Sequence, residues 1–170
     1  MTEVLPQIRN TTRALIRRGD KVLVLKKTSS TSNSRYALPG GGQDSGETLN
    51  QALTRECAEE IGTDITINSL VAVSEWLKEK ASAAPCKLHT MDFVFSCDVS
   101  KSYQPHNGPK PDKRQVDVIW VKASELTSEN LSPGYLADFI NQPKKNSTSV
   151  YLGAQWSEEQ DKASLIKASG

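Results

Sequence analysis

The chain has 170 residues, with 36% hydrophobic and 24% charged residues. That is room for one domain at about 150 residues per domain, and too apolar a composition for a disordered chain. Lys+Arg is 21 against Asp+Glu 20, a net charge of +1, so no overall field recruits nucleic acid or an anionic membrane surface. The apolar runs are short and broken by charge, which argues against a transmembrane helix. The opening MTEVLPQIRN lacks the apolar core of a secretion signal. Cys57, Cys86 and Cys97 form no CxxC pair; free thiols in a reducing cytoplasm are the expectation.

In chain order, residues 13–17 and 21–25 are short aliphatic runs around Gly19-Asp20, a dipeptide suited to the positive φ of a tight turn. They predict a β-hairpin. Residues 28–33 (TSSTSN) read as a loop, and 36–38 as a short extended piece leading into PGGGQDSGE. Three successive glycines are expected to lack regular structure and to allow close backbone approach to a ligand. Thr48 and Gln51 fit a capping box, Leu49, Leu53, Cys57 and Ile61 make an apolar stripe, and Gly62 is a stop signal. These predict a helix.

Further strands are predicted at 67–73, 87–99 and 115–121, and loops at 78–85 and 102–113. In the 87–99 strand His89, Met91, Phe93 and Phe95 share one face, because side chains alternate. A helical turn is expected at Glu125-Leu126, a second helix at 135–140, a tail at 142–149 and a terminal helix at 156–167. No internal repeat divides the chain. One domain over residues 1–170 is expected, with about 142–170 as a peripheral extension.

Glu56, Glu59 and Glu60 are spaced i, i+3, i+4 on the predicted helix, so they share an arc of roughly 100°. Taken alone, such a trio is a solvated acidic face. Its context points elsewhere. The acids come late in the helix, where the helix dipole does not favour them. A hard cation such as Mg²⁺ or Mn²⁺ would relieve their repulsion. A glycine-rich loop stands upstream with carbonyls to offer, and Arg55 can hold a neighbouring carboxylate in a bidentate pair.

Residues 41–63, GGQDSGETLNQALTRECAEEIGT, resemble the Nudix box, G-x5-E-x7-R-E-U-x-E-E-x-G-U, with U a bulky aliphatic. Gly41, Glu47, Arg55, Glu56, Glu59, Glu60 and Gly62 all fall at the required places. At background frequencies, chance gives seven such matches on the order of 10⁻⁸ per window. Cys57 and Thr63 depart from the pattern at its aliphatic positions, and no charged position is lost.

The resemblance implies an α/β fold: a mixed β-sheet sandwiched between helices (α/β/α), with the box as loop–helix–loop. It implies hydrolysis of the diphosphate linkage of a nucleoside diphosphate derivative with Mg²⁺, or Mn²⁺ in its place. Carried over by position, Glu56 and Glu60 are the chief metal ligands and Glu59 is a third ligand or the base. A backbone carbonyl of Gly40 or Gly41 assists, and Glu47 and Arg55 organise the acids. The family often draws the base, or another metal ligand, from outside the box; Asp112 and Asp117 are candidates, with a loop acid and an exposed strand acid as the alternative.

Arg35, Tyr36 and Trp76 are candidate substrate contacts, the first two just before the box and the tryptophan as a stacking surface. Strand-edge and packing roles are the alternatives. His89 reads as a core or pocket-edge residue, His106 as an exposed loop residue, Lys26 and Lys27 as a solvated hairpin end, and Trp120, with Val116 and Val118, as core. Lys144 and Lys145 are too few for a nucleic-acid patch. The expected partner is a small nucleotide, without membrane or nucleic acid. A homodimer is a habit of the family that the sequence leaves open. The alternative function is a catalytically weak or inactive nucleotide-binding module on the same fold. An RNA-decapping role would want a basic groove that the composition does not supply.

Overall fold

The computed structural model describes residues 7–30, 33–79, 87–142 and 149–158. β1 (Ile8–Arg18) and β2 (Lys21–Lys27) form the predicted hairpin about Gly19, which takes φ 62°. β1 then serves two groups of strands. One edge runs parallel to β6 (Lys87–Asp98), which pairs antiparallel with β5 (Thr66–Glu79); β5 runs parallel to β8 (Tyr151–Glu158). The other edge pairs with β4 (Gly40–Gly42) at Thr11–Arg13 and with β2 at Arg17 and Arg18. β2 pairs in turn with β3 (Arg35–Ala37) and β7 (Gln115–Lys122). The sheet is therefore mixed.

Side-chain alternation along β1 and β2 separates two cores. Ala14, Ile16, Leu23 and Leu25 pack on one side with Leu53, Cys57 and Ile61 of α1 (Leu49–Ile61). Leu15, Val22 and Val24 pack on the other with Leu136, Ala137 and Ile140 of α2 (Tyr135–Asn141). Helix, sheet and helix are the three layers expected of an α/β/α sandwich. The predicted stripe of α1 holds: Leu53, Cys57 and Ile61 are fully buried, and Leu49 packs at the margin of the same core.

Several expectations are corrected. Gly40–Gly42 is a short strand, because β1 offers its backbone a partner and the three glycines fit the ladder. The strand at 67–73 extends to Glu79, through the residues expected to begin a loop; residues 80–86 lie outside the described ones. Trp156 to Glu158 continue β8 in register with Leu77 to Glu79, instead of starting a helix. The rest of that predicted helix, Cys86, Lys144 and Lys145 lie outside the described residues. Val116 is 50% exposed while Val118 is buried. A 3-10 turn at Ala123–Glu125 and α2 match the predicted late helices. Among the described residues, no helix is long and apolar enough to cross a membrane.

Candidate active site on the glycine strand and helix α1

The entry to α1 is fixed locally. The Thr48 hydroxyl accepts from the Gln51 N–H at 3.2 Å, and the Gln51 side chain accepts from the Thr48 N–H at 2.8 Å. This is the predicted capping box, and Gly62 closes the helix at φ 65°. The acids of the last two turns are thereby presented to β4.

Arg55 ties this region together. Its Nε and Nη2 donate to the two oxygens of Glu47 at 2.6 and 3.0 Å, Nη1 to Glu56 at 3.0 Å, and Nη2 also to the Gly42 carbonyl at 3.0 Å. The Arg55 hydrogen bonds, with the Asp44 N–H, hold the Glu47 carboxyl down at about 2. Glu47 in return raises Arg55 above the ordinary arginine range. The loop is locked to the helix by charge-assisted bonds.

Glu56 and Glu60 meet the same two glycines. A Cβ on Gly41 would stand 2.5 Å from the Glu56 carboxyl. Glu60 Oε2 accepts from the Gly40 N–H at 2.9 Å. Gly40 adopts φ 136°, and a Cβ there would strike the Thr12 carbonyl, so only glycine serves. Glu60 is 4% exposed. Burial pushes its carboxyl up to about 7 against the pull of the Gly40 N–H and Lys27, with Glu56 and Asp112 adding to the push. Glu59 faces differently: Lys110 Nζ stands 3.4 Å from one oxygen and Arg55 Nη1 3.7 Å from the other.

Among the described residues, no three acidic, imidazole or thiol groups are already gathered as a metal-ligand set. Arg55 and Lys110 account for this, since each draws off a carboxylate. The donors nevertheless fit a hard cation. Glu56 and Glu60 converge on one glycine pair, and every available donor is oxygen. The fully buried Thr12 hydroxyl, in register with Gly41, has no hydrogen-bond partner.

Residues 7–141 match the NUDIX domain. The chain belongs to the NUDIX domain family. It is 36% identical over 85 residues to the ADP-ribose pyrophosphatase of Methanocaldococcus jannaschii, covering 50% of this chain and 47% of that protein. It is 29% identical over 102 residues to the nucleoside triphosphatase NudI of Escherichia coli O139:H28, covering 58% of this chain and 69% of that protein. A solved NUDIX hydrolase from Nitrosomonas europaea superposes with a TM-score of 0.55 at 27% identity, covering 70% of this chain and 75% of that one. The chain thus spans about half the length of the first of these relatives.

Around the Nudix box, loop 102–113 has a role that the sequence did not disclose. Four bonds from this loop and the start of β7 satisfy the last carbonyls of α1. Lys110 N–H donates to Glu59 O at 3.0 Å, and Gly108 N–H and Gln115 Nε2 donate to Glu60 O at 2.9 and 2.8 Å. Tyr103 OH donates to Ile61 O at 2.8 Å. A helix end otherwise leaves these acceptors orphaned. His106 is exposed, as expected, with Nδ1 2.8 Å from the Gln104 carbonyl.

Asp112 takes the Lys27 ammonium at 2.5 Å and the Arg114 N–H at 2.9 Å. Burial pushes its carboxyl up, but the Arg114 N–H and Lys27 outweigh that and hold it below the usual range. Lys27 is therefore an ion-pair partner and not a solvated end. Asp117 is exposed and caps the Val118 N–H. Trp120 packs at the edge of the α1-side core, with the Arg18 guanidinium 4.6 Å above its ring.

The structure separates the predicted substrate contacts from one another. Arg35 is exposed on β3, and Tyr36 packs at the margin of the α2-side core. Trp76 is half-buried on β5, in register with Thr90. His89 lies with its Nε2 3.8 Å from a Glu75 oxygen. Phe93 and Phe95 face the α1-side core, as their alternation predicts. The sequence reading missed one cluster entirely: buried Asp92, bonded by Thr11, Arg13 and Tyr135. An aspartate and an arginine at inward positions of two apolar strands were its signal.

Proposed function

We propose that the protein hydrolyses a phosphoric anhydride, the diphosphate linkage of a nucleoside diphosphate derivative, with a divalent cation, Mg²⁺ or Mn²⁺. The convergence of Glu56 and Glu60 on Gly40 and Gly41 carries this reading. Glu56, Glu60 and a Gly40 or Gly41 carbonyl would hold the cation. When bound, it supplies charge neutralisation at the anhydride oxygens and makes the attacking water more acidic. The naming of two relatives as a pyrophosphatase and a nucleoside triphosphatase supports the reaction class.

The chain's own residues do the rest. Arg55 fixes Glu47, Glu56 and the Gly42 carbonyl in one frame beside the glycine strand. Water attacks phosphorus in line, the new P–O bond forms, the anhydride P–O bond breaks, and the leaving phosphate takes the electron pair. A carboxylate accepts the proton of that water. Glu59 suits this role, because its side chain is 27% exposed against 16% for Glu56, and its closest cation, Lys110, is itself exposed. No cysteine nucleophile is needed; burial pushes both the Cys57 and Cys97 thiols up.

The test is a panel of nucleoside di- and triphosphates, dinucleotides and nucleotide sugars with Mg²⁺ in H₂¹⁸O, with products identified by mass. The heavy oxygen reports which phosphorus is attacked. Glu60→Gln should lose turnover by about 100-fold or more. Turnover unchanged by Glu60→Gln would remove the site assignment. No turnover of any compound would favour a nucleotide-binding module.

A further inference from the structure

The glycine strand has a second face. Cross-strand partners point to the same side of a sheet. Thr12 and Gly41 therefore look towards α1, while Thr11 with Gly42 and Arg13 with Gly40 look towards α2. On this α2 side Asp92 is fully buried. It accepts from Thr11 Oγ1, from Arg13 Nε at 3.1 Å and from the Tyr135 hydroxyl at 2.7 Å. A buried carboxylate is tolerable only with such partners.

One consequence falls on Arg13. Asp92 grips it through Nε, and no described residue accepts from its two terminal amino groups. The side chain retains 13% exposure. A guanidinium held by one edge offers its remaining N–H pair in a fixed fork, the geometry that binds phosphate bidentately.

Arg9 lies four residues earlier on the same face. Its guanidinium occupies the space that a Cβ on Gly42 would fill. It is exposed and has no carboxylate partner among the described residues. It lines a cleft of about 680 Å³ with Asn10 and Gln43, running to Asp44 and Glu47. Those two acids face Arg55, at 3.6 and 2.6 Å. Arg13 is paired with Asp92, while Arg9 has no ion-pair partner among the described residues. The strand thus has Glu56, Glu60 and Arg55 against one face, and Arg9, Arg13 and Asp92 against the other.

We propose that Arg9 and Arg13 form an anion-binding half-site on the α2 face of β4, which takes a phosphoryl group of the substrate, with Asp92 and Tyr135 as positioning residues. The phosphoryl chemistry stands on the arginines alone; calling its bearer the substrate rests on the hydrolase reading above.

The probe is inorganic diphosphate, titrated calorimetrically into metal-free protein with chelator present. Wild type should bind it, and Arg9→Gln and Arg13→Gln should each weaken binding by about tenfold. Arg13→Lys should not restore it, because a lysine keeps the charge but loses the fork. Tyr135→Phe should weaken binding by a smaller factor and lower the melting temperature, because it takes one donor from buried Asp92. Lys21→Gln, an exposed cation at the far end of the hairpin, should leave binding unchanged.

Absence of wild-type binding up to about 5 mM diphosphate, or arginine variants that bind like wild type, overturns the proposal. Should Arg13→Gln fail to fold, the exposed Arg9→Gln decides alone. Steady-state kinetics with Mg²⁺ separates the two readings. Turnover with unaltered KM in Arg9→Gln sinks the half-site and spares the hydrolase. Arginine-dependent diphosphate binding without any turnover does the reverse.

Discussion

Among the described residues, Glu60 is the acid that the fold charges least willingly. Its carboxyl stands at about 7 against an ordinary 4.5, because burial penalises the anion and only the Gly40 N–H and Lys27 oppose that penalty. A folded value above the unfolded one means that Glu60 favours the folded state most below pH 4.5. That contribution fades as pH rises through about 7. The shift corresponds to about 3 kcal/mol at full expression. Chemical denaturation of metal-free protein should therefore show stability falling between pH 5 and pH 8. Glu60→Gln should flatten that slope, since an amide stays neutral throughout. A wild-type slope that persists in Glu60→Gln would place the responsible group elsewhere. Glu47 acts in the opposite sense: its lowered value adds stability above pH 4.5 that is lost as pH falls towards 2.

At the scale of elements, the glycine strand and the loop behind α1 decide how the acids are presented. Gly41→Ala would place a methyl group 2.5 Å from the Glu56 carboxyl, so Glu56 must leave its position. The expected outcome is a loss of divalent-metal affinity of about tenfold or more, with little change in melting temperature because the clash is with a side chain. Calorimetric titration with Mg²⁺ measures it. The helix end is the second case. Tyr103→Phe removes the donor to the Ile61 carbonyl, and denaturation should report a loss of about 1 kcal/mol.

Neither feature was open to the sequence in the same degree. The capping box, the stripe and the box acids are local spacings, readable because a helix has one period. The strand at Gly40–Gly42 exists because β1 lies beside it, and no local propensity announces that. The loop's bonds to the α1 carbonyls join residues 42 positions apart at Tyr103 and Ile61, beyond any motif. Asp92 escaped for the same reason, its donors coming from β1 and α2.

For the molecule as a whole, the sandwich was legible only through the resemblance of residues 41–63 to the Nudix box, and the two cores on either side of β1 and β2 bear it out; β8 was not legible, since its place depends on a parallel partner in β5. That architecture hangs the acids of one layer on a strand of the next, so metal binding should register as global stability. Only the folded chain brings Glu56 and Glu60 to the same glycines. A cation binding it alone should stabilise by about 2.7 kcal/mol at 100 times its Kd. If Glu60 holds the cation, protons compete for it below pH 7. The rise in melting temperature with Mg²⁺ should therefore be larger at pH 8 than at pH 6. It should vanish with chelator, and Glu56→Gln should reduce it at both pH values. A metal-induced shift equal at both pH values would mean that Glu60 is not among the groups holding the ion.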